Sequence, residues 1–77
     1  MRMTYDSEAN AAYVYLIDSI APGQVASTQV ADIPLDMASI NVDFDADDRV
    51  LGIEILGVDR ILRAETVDAA QDITGHD

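Results

Sequence analysis

The sequence predicts an α+β fold: an antiparallel β-meander of about five short strands, with two hairpins at its heart and one C-terminal helix. Three observations predict it. Residues 40–56 (INVDFDADDRVLGIEIL) alternate apolar and polar positions on both sides of a turn-forming run. Residues 1–17 repeat that layout around Ser7-Glu8-Ala9-Asn10. Beyond Gly57 the period of two ends and a helical spacing takes over.

In the central hairpin, Ile40, Val42 and Phe44 precede Asp45-Ala46-Asp47-Asp48-Arg49, and Leu51, Ile53 and Ile55 follow it. With Asp47-Asp48 at the tip, Phe44 faces Leu51, Val42 faces Ile53 and Ile40 faces Ile55. All six then share one face, and a slip of one residue would scatter them over both. Gly52 falls opposite Asp43, where a strand glycine marks a bulge or the close approach of another group.

The first hairpin turns through Ser7 to Asn10, pairing Tyr5 with Ala12, Met3 with Val14 and Met1 with Leu16. Its second strand is apolar on both faces, which places Tyr13, Tyr15 and Ile17 opposite the methionine side and asks for a cover over them. Pro22-Gly23 signals a loop, and Val25–Val30 reads as a third strand. Ile33-Pro34-Leu35-Asp36 is a linking loop or sheet edge. Asp59 is positioned to cap a helix from Arg60 to about Ala70, with Val58, Ile61, Leu62 and Ala69 toward one face. The single domain therefore spans 1–70, and residues 71–77, without apolar periodicity, read as a disordered tail.

At 77 residues, the chain buries only about 60% of its unfolded surface, so its own core is thin. No cysteine is present to staple it or to bind zinc as thiolate, and a second copy of the chain is the simplest source of further burial. Fifteen acidic residues against four arginines and no lysine give a net charge of −11. That field repels nucleic-acid backbones and anionic lipid and attracts cations and basic proteins. The cysteine-free composition and the absence of an apolar leader or membrane-length run fit a cytoplasmic protein.

Asp43, Asp45, Asp47, Val50 and Glu54 have the spacing of an EF-hand calcium loop. Asp48 stands where that loop needs glycine, and both flanks alternate as strands. The same spacing arises from a hairpin with its polar face to solvent, so Asp43, Asp45, Asp47 and Glu54 are expected at most to hold a divalent cation weakly. Catalytic residues do not emerge. His76 lies beside the C-terminus, the four serines have no visible base, and the glycines form no phosphate loop. Tyr13 and Tyr15, with Ile17, Ile61 and Leu62, are the candidate interface residues, tyrosine being common at protein contacts.

Tyr5-Asp6-Ser7-Glu8-Ala9-Asn10-Ala11-Ala12-Tyr13-Val14, then Asp43-Phe44-Asp45, then Gly52-Ile53-Glu54-Ile55-Leu56 together resemble a family of very small bacterial proteins, domain of unknown function 2283. The resemblance covers residues 3–62. Asn10 stands where the family usually has aspartate, and Asp48 where glycine is common. The resemblance implies a compact β-rich domain with a short following helix. It carries over no catalytic residue, and it implies an antitoxin-like role only by association. Tyr5, Asp6, Asn10 and Gly52 are structural members of the motif.

The functional expectation is a non-catalytic interaction module, a homodimer that offers its acidic hairpin face to a basic protein partner. The alternatives are a divalent-cation-binding domain on that face and a small enzyme with its site at a dimer seam.

Overall fold

The computed structural model describes residues 1–34 and 36–75. Strands β1 (Arg2–Asp6), β2 (Ala11–Tyr15), β3 (Ser27–Ala31), β4 (Ser39–Phe44) and β5 (Val50–Leu56) precede two short helices, α1 (Val58–Ile61) and α2 (Ala64–Asp68). A two-residue strand β6 (Gln71–Asp72) follows. The fold is α+β, with a six-stranded sheet in the order β3-β4-β5-β2-β1-β6.

The expected meander is therefore corrected in three respects. Chain order is broken, because β5 docks against β2 and residues 16–26 carry the chain from the sheet centre to its far edge. The sheet is mixed, since β6 runs parallel to β1. Two helical turns also replace the single helix.

Both hairpins carry the registers that the alternation predicts. Tyr5 pairs with Ala12 and Met3 with Val14; Ile40 pairs with Ile55 and Val42 with Ile53. One pair differs. Beyond Asp43 and Gly52 the register shifts, so Phe44 meets Val50 rather than Leu51. The turn explains the extra residue: Asp48 N donates to Asp45 O at 3.1 Å, while Asp45 N donates to Arg49 O at 2.9 Å. Asp48 itself takes a left-handed backbone at φ 61°, which aspartate tolerates better than most residues.

The apolar face holds the core. Ala12, Ile55 and Val58 are buried, with Met3, Tyr5, Val14, Ile53, Ile61, Leu62 and Val67 packed around them. Both helices thus lie on the methionine side of the sheet. Val58 is 1% exposed, and burying such a side chain is worth about 1.5–3 kcal/mol.

Gly57, not Asp59, stands at the start of α1. Its φ is 77°, and a Cβ added there would stand 2.4 Å from Met37 O, so only glycine fits. The helix then breaks at Leu62 and Arg63, both extended. Asp59 is held from outside: Asn10 Nδ2 donates to its carboxylate at 2.6 Å, and its N–H donates to Asn10 Oδ1 at 3.1 Å. Asn10 O also accepts from the N–H groups of Gly57 and Val58. A residue of the first turn thereby fixes the strand-to-helix junction 49 positions along the chain.

Residues placed in a structureless tail by their composition make β6 instead. Ile73 N donates to Tyr5 O at 2.8 Å, and Thr74 Oγ1 accepts from Ser7 N at 2.7 Å. His76 and Asp77 of that tail, like Leu35 of the expected linking loop, lie outside the described residues.

Candidate functional site

The face opposite the helices is polar because alternation leaves it so. Cross-strand pairing sets Thr4 beside Tyr13, Tyr13 beside Glu54, and Glu54 beside Asn41. One step along the strands, Arg2, Tyr15, Gly52, Asp43 and Thr28 form the next row. Neither helix packs against Tyr13 or Tyr15, so the cover expected over them does not come from the helices.

These side chains order one another. Tyr13 Oη donates to Asp43 Oδ2 at 2.6 Å, and Thr28 Oγ1 donates to Asp43 Oδ1 at 2.6 Å. Asn41 Nδ2 donates to Glu54 Oε1 at 3.0 Å. The Tyr13 and Tyr15 rings sit 4.8 Å apart, tilted by 55°. Arg2 lies over Tyr15, its guanidinium carbon 3.8 Å from the ring centre, a cation–π contact, and it also donates to Asp18 O.

Gly52 makes the arrangement possible. A Cβ there would stand 2.4 Å from Tyr13 Cε1 and 2.7 Å from Val14 O, so the ring crosses β5 only over a glycine. Burial pushes the Tyr13 phenol well above the ordinary tyrosine range, and its hydrogen bond to Asp43 and the charges of Asp43, Tyr15 and Glu54 push further. At neutral pH Tyr13 is a fixed proton donor.

Beside this row is a cavity of about 180 Å³ lined by Thr4, Asp6, Ala9, Ala11, Ala12, Tyr13, Glu54 and Ile73. It exists because Ala11, set between Asp6 and Leu56, has no bulk to fill the space. Tyr13 commits its hydroxyl to Asp43 rather than to this space.

The residues singled out from sequence distribute unevenly. Asp43 and Glu54 share the polar face, but Asp45 and Asp47 belong to the hairpin turn. There Asp45 Oδ1 accepts from the N–H groups of Asp47 and Arg49. Strands flank the turn, as the alternation on both sides of it predicts, so the EF-hand spacing has no helices around it. Among the described residues no group of three or more His, Cys, Asp or Glu is placed to hold a metal ion. Tyr13 and Tyr15 lie together, whereas Ile61 and Leu62 pack into the core on the opposite face. Ile17 lies beside Met1, Arg2 and Asp18. Thr4 and Ile73, which line the cavity, were not visible as site residues, and Asp6 was singled out only as a structural member of the motif. Their meeting depends on β6, and two residues have too little pattern to announce a strand.

What these features define is a small single-sheet protein with one helix-covered face and one open polar face. Residues 2–58 match the family model described as Protein of unknown function (DUF2283), and the chain belongs to that family. No curated protein and no solved structure matches it. Among the described residues no helix is long and apolar enough to cross a membrane.

Proposed function

We propose that the protein is a non-catalytic interaction module whose open sheet face receives a basic protein partner. The observation that carries this reading is the row of oriented acceptors and aromatic rings on that face. Asp43 and Glu54 are fixed by neighbours before any partner arrives, and Tyr13 and Tyr15 offer rigid contact area beside them. Preorganised groups lose little entropy on binding. The net charge of −11 steers a cationic partner toward the molecule and disfavours acidic ones.

The test is the affinity for a fluorescently labelled Arg-Ser repeat peptide, measured by anisotropy. The double variant Asp43→Asn, Glu54→Gln weakens binding about tenfold, while Asp32→Asn, Asp68→Asn, equal in charge but elsewhere on the surface, changes it much less. Affinity falls steeply as salt rises, because exposed charges are screened within about 8 Å at physiological ionic strength. Equal losses from both double variants, or no salt dependence, would reject the reading.

A homodimer is part of the same proposal, and β3 is its seam. Every residue of this edge strand is exposed, with Val30 at 69%. Its sequence, STQVA, carries none of the charges or prolines that usually blunt an edge. In so acidic a chain, an uncharged edge is where a second copy meets least repulsion. Antiparallel pairing of two β3 strands extends the sheet across a two-fold axis. Light scattering gives a dimer mass for the wild type and a monomer mass for Val30→Lys; a wild-type monomer would remove this part of the proposal.

A further inference from the structure

We propose that the cavity beside Tyr13 is a receptor for a guanidinium group, the side chain of an arginine on the basic partner. This rests on the open-face reading above and names what that face takes hold of. Thr4 supplies the observation that points to a ligand. It is 6% exposed and lines the cavity, yet its hydroxyl makes no hydrogen bond with any described residue. No fully buried side-chain oxygen or nitrogen among the described residues lacks a partner. The Thr4 hydroxyl is therefore not fully enclosed, and as Thr4 lines this cavity the hydroxyl is available there to a bound donor.

The remaining walls say which partner. Asp6 and Glu54 bring two carboxylates, each with one oxygen already held: Asp6 Oδ1 accepts from the N–H groups of Glu8 and Ala9 in its own turn, and Glu54 Oε1 from Asn41 on the neighbouring strand. The second oxygen of each carboxylate makes no hydrogen bond to a described residue. Ala9, Ala11 and Ile73 are apolar, and Tyr13 contributes an aromatic edge or face. Acceptors together with apolar and aromatic lining residues fit a planar cation with several donors and weak hydration. That describes guanidinium better than ammonium, which is a strongly hydrated point charge. Asp6 and Glu54 also lie within the motifs at residues 5–14 and 52–56, so two of the three stretches that carry the family resemblance meet in one cavity.

The test uses N-acetyl-L-arginine N-methylamide and its lysine counterpart as probes, followed by amide chemical shifts of the labelled protein. The arginine probe produces saturable shifts at Thr4, Ala11 and Ile73 and binds several-fold more tightly than the lysine probe. Thr4→Val, which keeps the shape and removes the hydroxyl, weakens it several-fold, and Ala11→Leu, which fills the space, abolishes the shifts. Equal binding of the two probes, shifts scattered over the acidic surface, or full binding by Ala11→Leu overturns the proposal. The Arg-Ser peptide separates the two levels of the account. If Ala11→Leu binds it as wild type does while Asp43→Asn does not, the cavity falls and the open face stands. If Asp43→Asn also binds it unchanged, the face falls as well.

Discussion

Tyr13 and Asp43 sit on strands that do not touch, β2 and β4, and are joined over the strand between them by a 2.6 Å hydrogen bond. Burial and that bond, with the nearby Asp43, Tyr15 and Glu54 charges, hold the phenol in its protonated form beyond the usual range. The folded protein therefore binds this proton more tightly than the unfolded chain, whose tyrosines titrate near pH 10. The stabilisation is fully present below about pH 10 and is lost as pH rises from there through the higher folded value. Urea midpoints measured between about pH 9 and 12 should fall for the wild type. The fall should be smaller in Tyr13→Phe, and identical slopes would show that the bond does not hold the proton.

Gly52 lies under that bond. In an ordinary strand, glycine to alanine is a gain of about 0.5–1 kcal/mol. Here the new methyl would overlap both the Tyr13 ring and Val14 O, so Gly52→Ala costs about 1–3 kcal/mol. In a Tyr13→Ala background the penalty shrinks but persists, because the backbone carbonyl remains. Denaturant melts of the four proteins give the coupling directly.

Asn10 needs its amide, and the structure supplies the reason. It donates to and accepts from Asp59, and a carboxylate there can only accept. Asn10→Asp keeps the left-handed backbone, φ 52°, but sets two negative charges face to face. A loss of about 1–3 kcal/mol at pH 7 follows. Repulsion raises the folded-state pKa of the pair above the unfolded value, so protonation favours folding and the loss shrinks as pH falls through about 4. A deficit independent of pH would mean that the amide acts through shape alone.

Two glycines with nearly the same φ separate conformation from space. Gly23, at 79°, has nothing within 4 Å of an added Cβ, whereas a Cβ on Gly57, at 77°, would press on Met37 O and Ala38. Gly23→Ala bears only the left-handed penalty, about 1–2 kcal/mol. Gly57→Ala adds displacement of the junction to α1 and is the more damaging, by thermal melting. Equal losses would mean that the 36–38 segment yields freely.

Both hairpins were legible because a period of two, read with a turn, fixes which residues face each other. The acidic face of the central hairpin was legible for the same reason, and so was the placing of Tyr13 and Tyr15 opposite the methionines, but not that all of them share one open face. What escaped was non-local. The alternation of Gly52-Ile53-Glu54-Ile55-Leu56 says which face of β5 is buried but not that β2 pairs along its second edge. The run from Arg60 to Ala70 has helical composition, yet the extended backbones of Leu62 and Arg63 break it. Thr4 looked like any alternating strand residue, and nothing in its pattern announced that β6 would pair with it. The acidic spacing from Asp43 to Glu54 was a true pattern with a local cause, a polar strand face and a carboxylate-capped turn.

The central claim is that partners bind on the open sheet face. The most direct measurement is a map of amide chemical-shift changes as the Arg-Ser peptide is added to the labelled protein at low and then at physiological salt. The account predicts changes concentrated at Thr4, Tyr13, Tyr15, Asp43 and Glu54, fading together as salt rises, with the α1 and α2 amides still. Changes centred on the helices or spread evenly over the acidic surface would contradict it.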